Sequence, residues 1–348
     1  MPAILTHIIT ADKVLEKIEN PRMKKIITEN IDAYYSGSQG GDYFYLYKYY
    51  SVWVGTRMKL FGWALHYART QKFFCECAKY IKQNENDKML AYLYGYITHY
   101  CLDKLLHPYV NADSHSIKTH NYIEYDLDVM VANRAGIDAK NYDKEKFVLD
   151  SLVTTGEIDT LLKAVAKKVY PRFKLSKTPY QTAYRYHAKF NKKLINPTKG
   201  QIAWIKFRGM FMALDLISML YKDVDEIKDA HDYGKYFYLI DKSIKESLRL
   251  MSLCDSYIFE GQHISVLQSA IPHISFHGKT IVPMEERKAF KKAYRRAPIV
   301  HVKMRGEQSP LSDFGDAAKE VLTNAVSTVS SEDSQKSKKG VISGSQQR

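Results

Sequence analysis

Cysteine is scarce in this chain, with Cys75, Cys77, Cys101 and Cys254 the only four in 348 residues. Four thiols so placed match neither a disulfide framework nor a cysteine-rich zinc site. Cys75 and Cys77 stand two apart and are expected as reduced thiols in a reducing compartment. Glycine (17) and proline (10) are also few, which excludes a turn-rich all-β protein. Strand-like alternation is nearly missing, "KTIVPM" around Ile281 being the one candidate. No apolar run is long enough for a membrane span: Lys206, Arg208 and Asp215 interrupt the richest stretch, Ala203–Tyr221, which is expected as a buried core helix. The start, "MPAILTHIITADKVLEKI", lacks a basic segment, a long apolar run and a small-residue cleavage site. With neither signal peptide nor transmembrane helix in view, the chain is expected in the cytoplasm.

Acidic residues are missing where basic ones concentrate. Between Leu161 and Leu214 there are 13 Lys and Arg and no Asp or Glu, and the whole chain carries +14. A second basic run, "RKAFKKAYRR", spans Arg287–Arg296. Such a field attracts anionic partners, either a phospholipid surface to which the protein would be peripheral, or nucleic acid. A solvated face that only aids solubility is the plainer alternative. Nothing in the sequence calls for a partner protein.

What the chain does have is helical periodicity and a 45% hydrophobic content. Apolar residues recur at three- and four-residue spacing over Ala11–Ile31, Val52–Gln83, Asp87–Tyr109, His120–Ala135 and Tyr236–Met251. Breaks are expected at Asn20-Pro21, Ser36–Asp42, Asn84–Asp87 and Pro108. An all-α fold follows. The composition divides it into a core over residues 1–140, a basic, mainly helical half over 141–303 packed on or beside that core, and a disordered tail over 304–348 rich in Ser, Gln, Lys and Gly.

Within the longest helical pattern, "GYITHYCLDKLLHPYV", His99, Asp103 and His107 stand four apart on one stripe. His120 and Glu124 repeat the spacing. Side chains at i and i+4 share a helix face, so each pair can clamp one cation. One such pair is common by chance, and a lone His on an aromatic face is usually a satisfied core residue. Two pairs within 26 residues, linked by a further His one turn on, are harder to treat as packing. Buried carboxylates need positive charge beside them. Lys104 points elsewhere, so metal is the better account. Zinc takes imidazole nitrogen and carboxylate oxygen in this way.

These motifs, in their order, resemble the bacterial zinc-dependent phospholipase C family, whose fold is shared with the single-strand-specific zinc nucleases. His7 lies near the start, "GSQGGDYF" sets Asp42 after a glycine-rich turn, and "ALHYART" supplies His66. "GYITHYCLDKLLHPY" then gives H-x3-D-x3-H, and "HNYIEYD" gives H-x3-E, so the resemblance covers roughly residues 5–128. It implies a helical-bundle domain with two or three zinc ions in a cleft. Asp42, His66, His99 and Asp103 would hold one ion, His107, His120 and Glu124 a second, and His7, with Asp103 as bridge, a third. Asp42 would also be the catalytic base, and Tyr43 beside it would contact substrate. The helices after residue 140 would be additions carrying no family signature.

The expected activity is hydrolysis of a phosphodiester, with water attacking phosphorus, on a phospholipid or related substrate. Two alternatives remain: a nuclease or soluble phosphodiesterase with the same metal centre, and a metal-stabilised, non-catalytic module that binds lipid or nucleic acid. The sequence departs from the family in two respects. Gly41–Trp53 sets Tyr43, Tyr45, Tyr47 and Trp53 next to Asp42, either an aromatic wall for a quaternary ammonium headgroup or a nucleobase, or ordinary aromatic core packing. The other departure concerns the third metal. Secreted members ligate the third metal through the amine exposed by signal cleavage. Here Met1 precedes Pro2, and removal of Met1 would let the Pro2 nitrogen take that role.

Overall fold

The computed structural model describes residues 4–48, 56–114, 117–140, 152–194, 197–209, 216–227, 233–272 and 275. Pro2, Trp53, His115 (a rival to His120 as a ligand that lacks the following Glu), "KTIVPM", the Arg287–Arg296 run and the expected tail 304–348 lie outside them. Residues 1–280 form one compact unit, which contains every described residue. Among these residues there are twelve α-helices and no strand, so the fold is all-α.

The order is α1 (Ile4–Glu16), α2 (Pro21–Glu29), α3 (Ile31–Ser38), α4 (Thr56–Tyr67), α5 (Thr70–Asn84), α6 (Asp87–Asp113), α7 (Ile117–Arg134), α8 (Leu152–Val169), α9 (Pro179–Leu194), α10 (Lys199–Gly209), α11 (Tyr233–Phe259) and α12 (Ile264–Ala270). Local chemistry sets several of the ends. Asn20 caps α2 by accepting from the Met23 N–H, with Pro21 at the first helical position, where its missing N–H costs nothing. Asn86 caps α6 in the same way by accepting from Met89. Residues 42–44 form a single 3-10 turn.

Helix α6 runs through the centre, flanked by α3, α11, α1, α5, α7 and α8. It meets α3 backbone to backbone, because a Cβ on Gly95 would overlap the Tyr34 carbonyl and one on Gly37 the Tyr92 carbonyl. Glycine at both positions permits that approach, which carries the turn after α3 onto the His99 face of α6. Tyr34, Tyr92 and Tyr96 are buried beside this seam, while buried Tyr94 reaches Asp255 of α11 and buried Tyr100 packs on Phe74 of α5.

Four sequence expectations about the helices need correction. First, Pro108 does not end its helix, since α6 continues to Asp113. A mid-helix proline loses one backbone hydrogen bond and crowds the carbonyl four residues back. Here the buried side chains of Leu106, His107 and Val110 hold the last turns in place. Second, the expected single helix up to Gln83 is two helices. Arg69 adopts left-handed backbone (φ 56°), and its guanidinium donates to the Val169 carbonyl at 2.7 Å while the Tyr170 hydroxyl donates to the Ala68 carbonyl at 2.6 Å. The end of α8 thus satisfies the groups freed by the break. Third, the first helix begins at Ile4, not Ala11, and α3 runs through Ser36 to Ser38 before the glycine turn. Fourth, Ala203–Tyr221 is not a buried core helix. Helix α10 lies on the surface with Trp204 39% and Phe207 61% exposed, and residues 210–215 lie outside the described set.

All four cysteines are buried and unbridged. Burial pushes the Cys75 thiol up to about 11 and Cys101 to about 12, so neither is a ready nucleophile. No helix among the described residues is long and apolar enough to cross a membrane.

Candidate metal centre

Five elements deliver the chemistry-bearing side chains to one place. Helix α1 supplies His7, the 3-10 turn Asp42, and the last turn of α4 His66. Helix α6 supplies His99, Asp103 and His107, and α7 supplies His120 and Glu124. All eight side chains expected as ligands from the sequence are therefore neighbours. They form three donor groups, Asp42/His66/His99 and His7/His99/Asp103, which share His99, and His107/His120/Glu124, each with its donor atoms within 4.8 Å of one another.

Asp103 stands in the middle and is fully buried. Its Oδ1 faces His7 Nε2 at 3.4 Å, and its Oδ2 faces His99 Nε2 at 3.4 Å and His107 Nδ1 at 3.7 Å. To one side, Asp42 Oδ1 approaches His66 Nε2 at 3.0 Å, and the His66 and His99 Nε2 atoms are 3.4 Å apart. To the other, Glu124 Oε1 lies 2.8 Å from His120 Nε2 and 3.4 Å from His107 Nε2. His99 thus belongs to two groups.

Backbone carbonyls orient the rings. His66 Nδ1 donates to the Gly62 carbonyl at 2.7 Å, His99 Nδ1 to Ser38 at 3.2 Å and His107 Nδ1 to Asp103 at 3.2 Å. Those partners assign the proton to Nδ1 and leave each Nε2 with a lone pair aimed into the cluster. Gly40, at φ 53°, packs flat on the His99 ring where any Cβ would overlap it.

The electrostatics favour a missing positive charge. Burial pushes the Asp103 carboxyl up, but His99, His107 and His7 outweigh it and hold it well below the ordinary range. Burial likewise raises Asp42, and His66 and His99 bring it below its usual value. Burial raises Glu124, and its neighbours, His120 foremost, again reverse the shift. Burial lowers His99 to about 3 in spite of Asp103. Ionised carboxylates therefore face a neutral imidazole, and among the described residues the ion partners of Asp42 and Asp103 are imidazoles alone. Both ring nitrogens of His7, both oxygens of Asp103 and Oδ1 of Asp42 are buried without a hydrogen bond. A buried polar atom left unbonded costs about 1–3 kcal/mol. Converging lone pairs at these separations fit divalent cations, and the nitrogen and carboxylate donor set fits zinc.

The sequence does not single out two further parts of the site, Asp128 and Tyr67, and it offers Tyr45 only as one member of the aromatic wall beside Asp42. Asp128 is fully buried and accepts from Leu5 N–H (2.9 Å), Thr6 N–H (2.7 Å) and Thr6 Oγ1 (2.6 Å), so it caps α1 immediately before His7. The Tyr221 hydroxyl also donates to it at 2.8 Å. Its signal was present, because Asp128 extends the His120–Glu124 stripe by one more turn. Tyr45 lies half-buried with its ring 5.1 Å from that of His66. Tyr67, also half-buried, stacks on Trp63 at 4.9 Å. Burial and then Asp103 and Glu124 raise the Tyr67 hydroxyl, and both acids act on Tyr45 as well. Tyr43, by contrast, is buried edge-on against Tyr180 (5.4 Å), Tyr184 (5.4 Å) and His187 (4.7 Å) of α9.

Residues 6–172 match the family model described as zinc dependent phospholipase C. No curated protein and no solved structure matches the chain. The family match extends beyond the motifs to α8, which contributes buried Ile158, Leu161, Leu162 and Val165 and, among the described residues, no member of the three donor groups.

Proposed function

Because residues 6–172 belong to the zinc-dependent phospholipase C family, we propose that the three donor groups hold two or three zinc ions and that the cleft hydrolyses a phospholipid. One observation carries the reading. His66 and His99 point their Nε2 lone pairs at each other and at Asp42, an arrangement that is repulsive unless a cation lies among them. Bound zinc would lower the pKa of a coordinated water and offset negative charge on the phosphoryl oxygens.

The chain's own residues have the following parts. His66, His99, Asp42 and Asp103 are assigned to one ion, His107, His120 and Glu124 to the second, and His7 with bridging Asp103 to the third. The Pro2 nitrogen remains assigned as a further donor to that third ion. Asp42 accepts the proton of the attacking water, being ionised across the neutral range. The new bond joins that water's oxygen to phosphorus, and the bond from phosphorus to the glycerol oxygen breaks. The leaving oxygen takes up a proton to give diacylglycerol and a phosphomonoester. Tyr45 and Tyr67 offer ring faces and hydroxyls at the site, suited to a cationic headgroup. The substrate-contact role expected of Tyr43 passes to them, and Tyr43 is assigned to support the wall from behind.

A nucleic-acid substrate is the second reading, favoured by the charge of +14. Turnover of phosphatidylcholine and of single-stranded DNA by the zinc-loaded protein and by Asp42→Asn separates the readings. The expected result is lipid hydrolysis by the wild type and none by the variant, with zinc retained in both. Hydrolysis of DNA alone would transfer the site to the second reading. Zinc binding without turnover of either substrate would leave a non-catalytic module.

A further inference from the structure

Helix α10 has an unusual surface. Among its residues of described burial, Ile205 alone is fully buried, and it packs with Leu46, Phe190 and Met219, and with Tyr125 at the edge of the cluster. Leu46 follows Tyr45 and Tyr125 follows Glu124, so α10 is seated against the back of the residues that line the metal centre. At about 100° per residue, Phe207 lies about 200° round the helix from Ile205, and Trp204 lies about 100° from it. Both are exposed, 61% and 39%, and Ile217 in the adjoining 3-10 turn is 38% exposed. Lys199 and Lys206 are exposed on the flank, and Arg185 and Lys189 are exposed on α9, whose Phe190 shares the Ile205 cluster.

We propose that α10 is a membrane-docking element: Trp204, Phe207 and Ile217 enter the interface of an anionic bilayer while the surrounding Lys and Arg meet its headgroups. A helix of this kind lies in the interfacial plane, with aromatic and apolar side chains below and basic ones at headgroup level. The charge argues for this occupant, since 13 Lys and Arg with no acidic residue lie between Leu161 and Leu214. Anionic lipid attracts such a segment through each basic residue that comes near the surface. The protruding side chains favour lipid over nucleic acid. Phe207 and Ile217 have no hydrogen-bonding atom with which to read a base edge or grip a phosphate, whereas acyl chains need none. The purpose of docking rests on the phospholipid reading of the cleft, but the binding itself does not.

The test is vesicle flotation of the zinc-loaded full chain with phosphatidylcholine vesicles, with and without phosphatidylserine. In parallel, turnover is measured on short-chain phosphatidylcholine below its micellar range. Trp204→Ala/Phe207→Ala is expected to bind anionic vesicles about tenfold more weakly than wild type. Zinc content, helical circular dichroism and turnover of the monomeric substrate should not change. Lys199→Glu/Lys206→Glu, which leaves the apolar residues intact, is expected to lose the preference for phosphatidylserine. Equal vesicle binding by wild type and both variants would overturn the proposal, as would wild-type binding to single-stranded DNA but to no vesicle. Vesicle binding through α10 without phosphodiester turnover would keep the docking and remove the function. Turnover of monomers without any vesicle binding would do the reverse.

Discussion

His66 and His99 present their Nε2 atoms to each other at 3.4 Å, and each has committed its Nδ1 proton to a backbone carbonyl, that of Gly62 for His66 and of Ser38 for His99. Neither can then donate to the other. Two lone pairs and the Asp42 carboxylate share one small buried space. The fold around them imposes this: α3 lies on α6 through Gly37 and Gly95, and the Gly40 turn closes on the His99 ring. The backbone prepares a negative cavity that a cation would complete.

Asp103→Ala tests the central carboxylate. Three imidazoles face Asp103, and two donor groups meet at it or beside it. In the zinc-loaded protein the substitution should cost roughly 3–5 kcal/mol, as for removal of one partner from a buried charge cluster. Thermal melts with and without chelator check this. Wild type should lose stability on chelation, and the variant, already depleted of metal, should respond much less.

Gly40→Ala tests how the rings are held. An alanine there must adopt φ near 53° and place its Cβ against the His99 ring. Left-handed backbone at a non-glycine residue alone costs about 1–3 kcal/mol, and displaced His99 should weaken metal binding as well. Competition with a zinc-chelating dye measures that loss. Gly136, also at positive φ (71°) but open on all sides, is the control: Gly136→Ala should destabilise without changing zinc affinity.

The candidate ligands on α6 and α7 are legible in the sequence because their spacing is local: i, i+4 pairs are visible in any single chain. His7, Asp42 and His66 lie on other elements and came into view only through the ordered resemblance. Asp128 continues the α7 stripe, but its role is not legible locally because its partners, Leu5, Thr6 and Tyr221, are far away in the chain. The helical class was equally plain, but Pro108 and Arg69 show the limit of local rules. Packing carries α6 through the proline, and groups near the end of α8 stabilise a break no local pattern announced. Ala203–Tyr221 reads as core by composition and lies partly on the surface, since composition says nothing of which way Trp204 and Phe207 face.

Asp128→Asn should act on the metal centre without touching it. The carboxylate receives two N–H groups and a hydroxyl from the first turn of α1, and through that turn it fixes His7. Loss of an outer partner of a ligand usually costs about 10–100-fold in metal affinity. The expected result is loss of one zinc equivalent with the others retained. Tyr221→Phe, which removes a single donor, should cost only about 1 kcal/mol in stability. Equal loss of all zinc in Asp128→Asn would point to a general structural role.

Acid should destabilise the metal-free protein before its carboxylates titrate. Burial holds His99 at about 3, below its ordinary 6.5, so the folded state binds fewer protons than the unfolded one between those values. Its contribution is therefore fully present above 6.5 and is lost as pH falls towards about 3. His120, lowered first by burial, acts in the same sense. His107 acts in the opposite sense: Asp103 and Glu124 overcome burial to raise it, so its contribution is present below 6.5 and lost at higher pH. Urea melts of the chelated protein across this range should show stability falling below pH 6.5. His99→Phe, which cannot take up a proton, should flatten that limb.

The most direct measurement is the zinc content of the full chain purified without chelator, by elemental mass spectrometry, with melting recorded before and after chelation. Two or three zinc ions per chain, and a clear drop in melting temperature once they are removed, are the expected result. Less than one ion per chain, with melting indifferent to chelator, would contradict the claim that His7, Asp42, His66, His99, Asp103, His107, His120 and Glu124 form a metal centre.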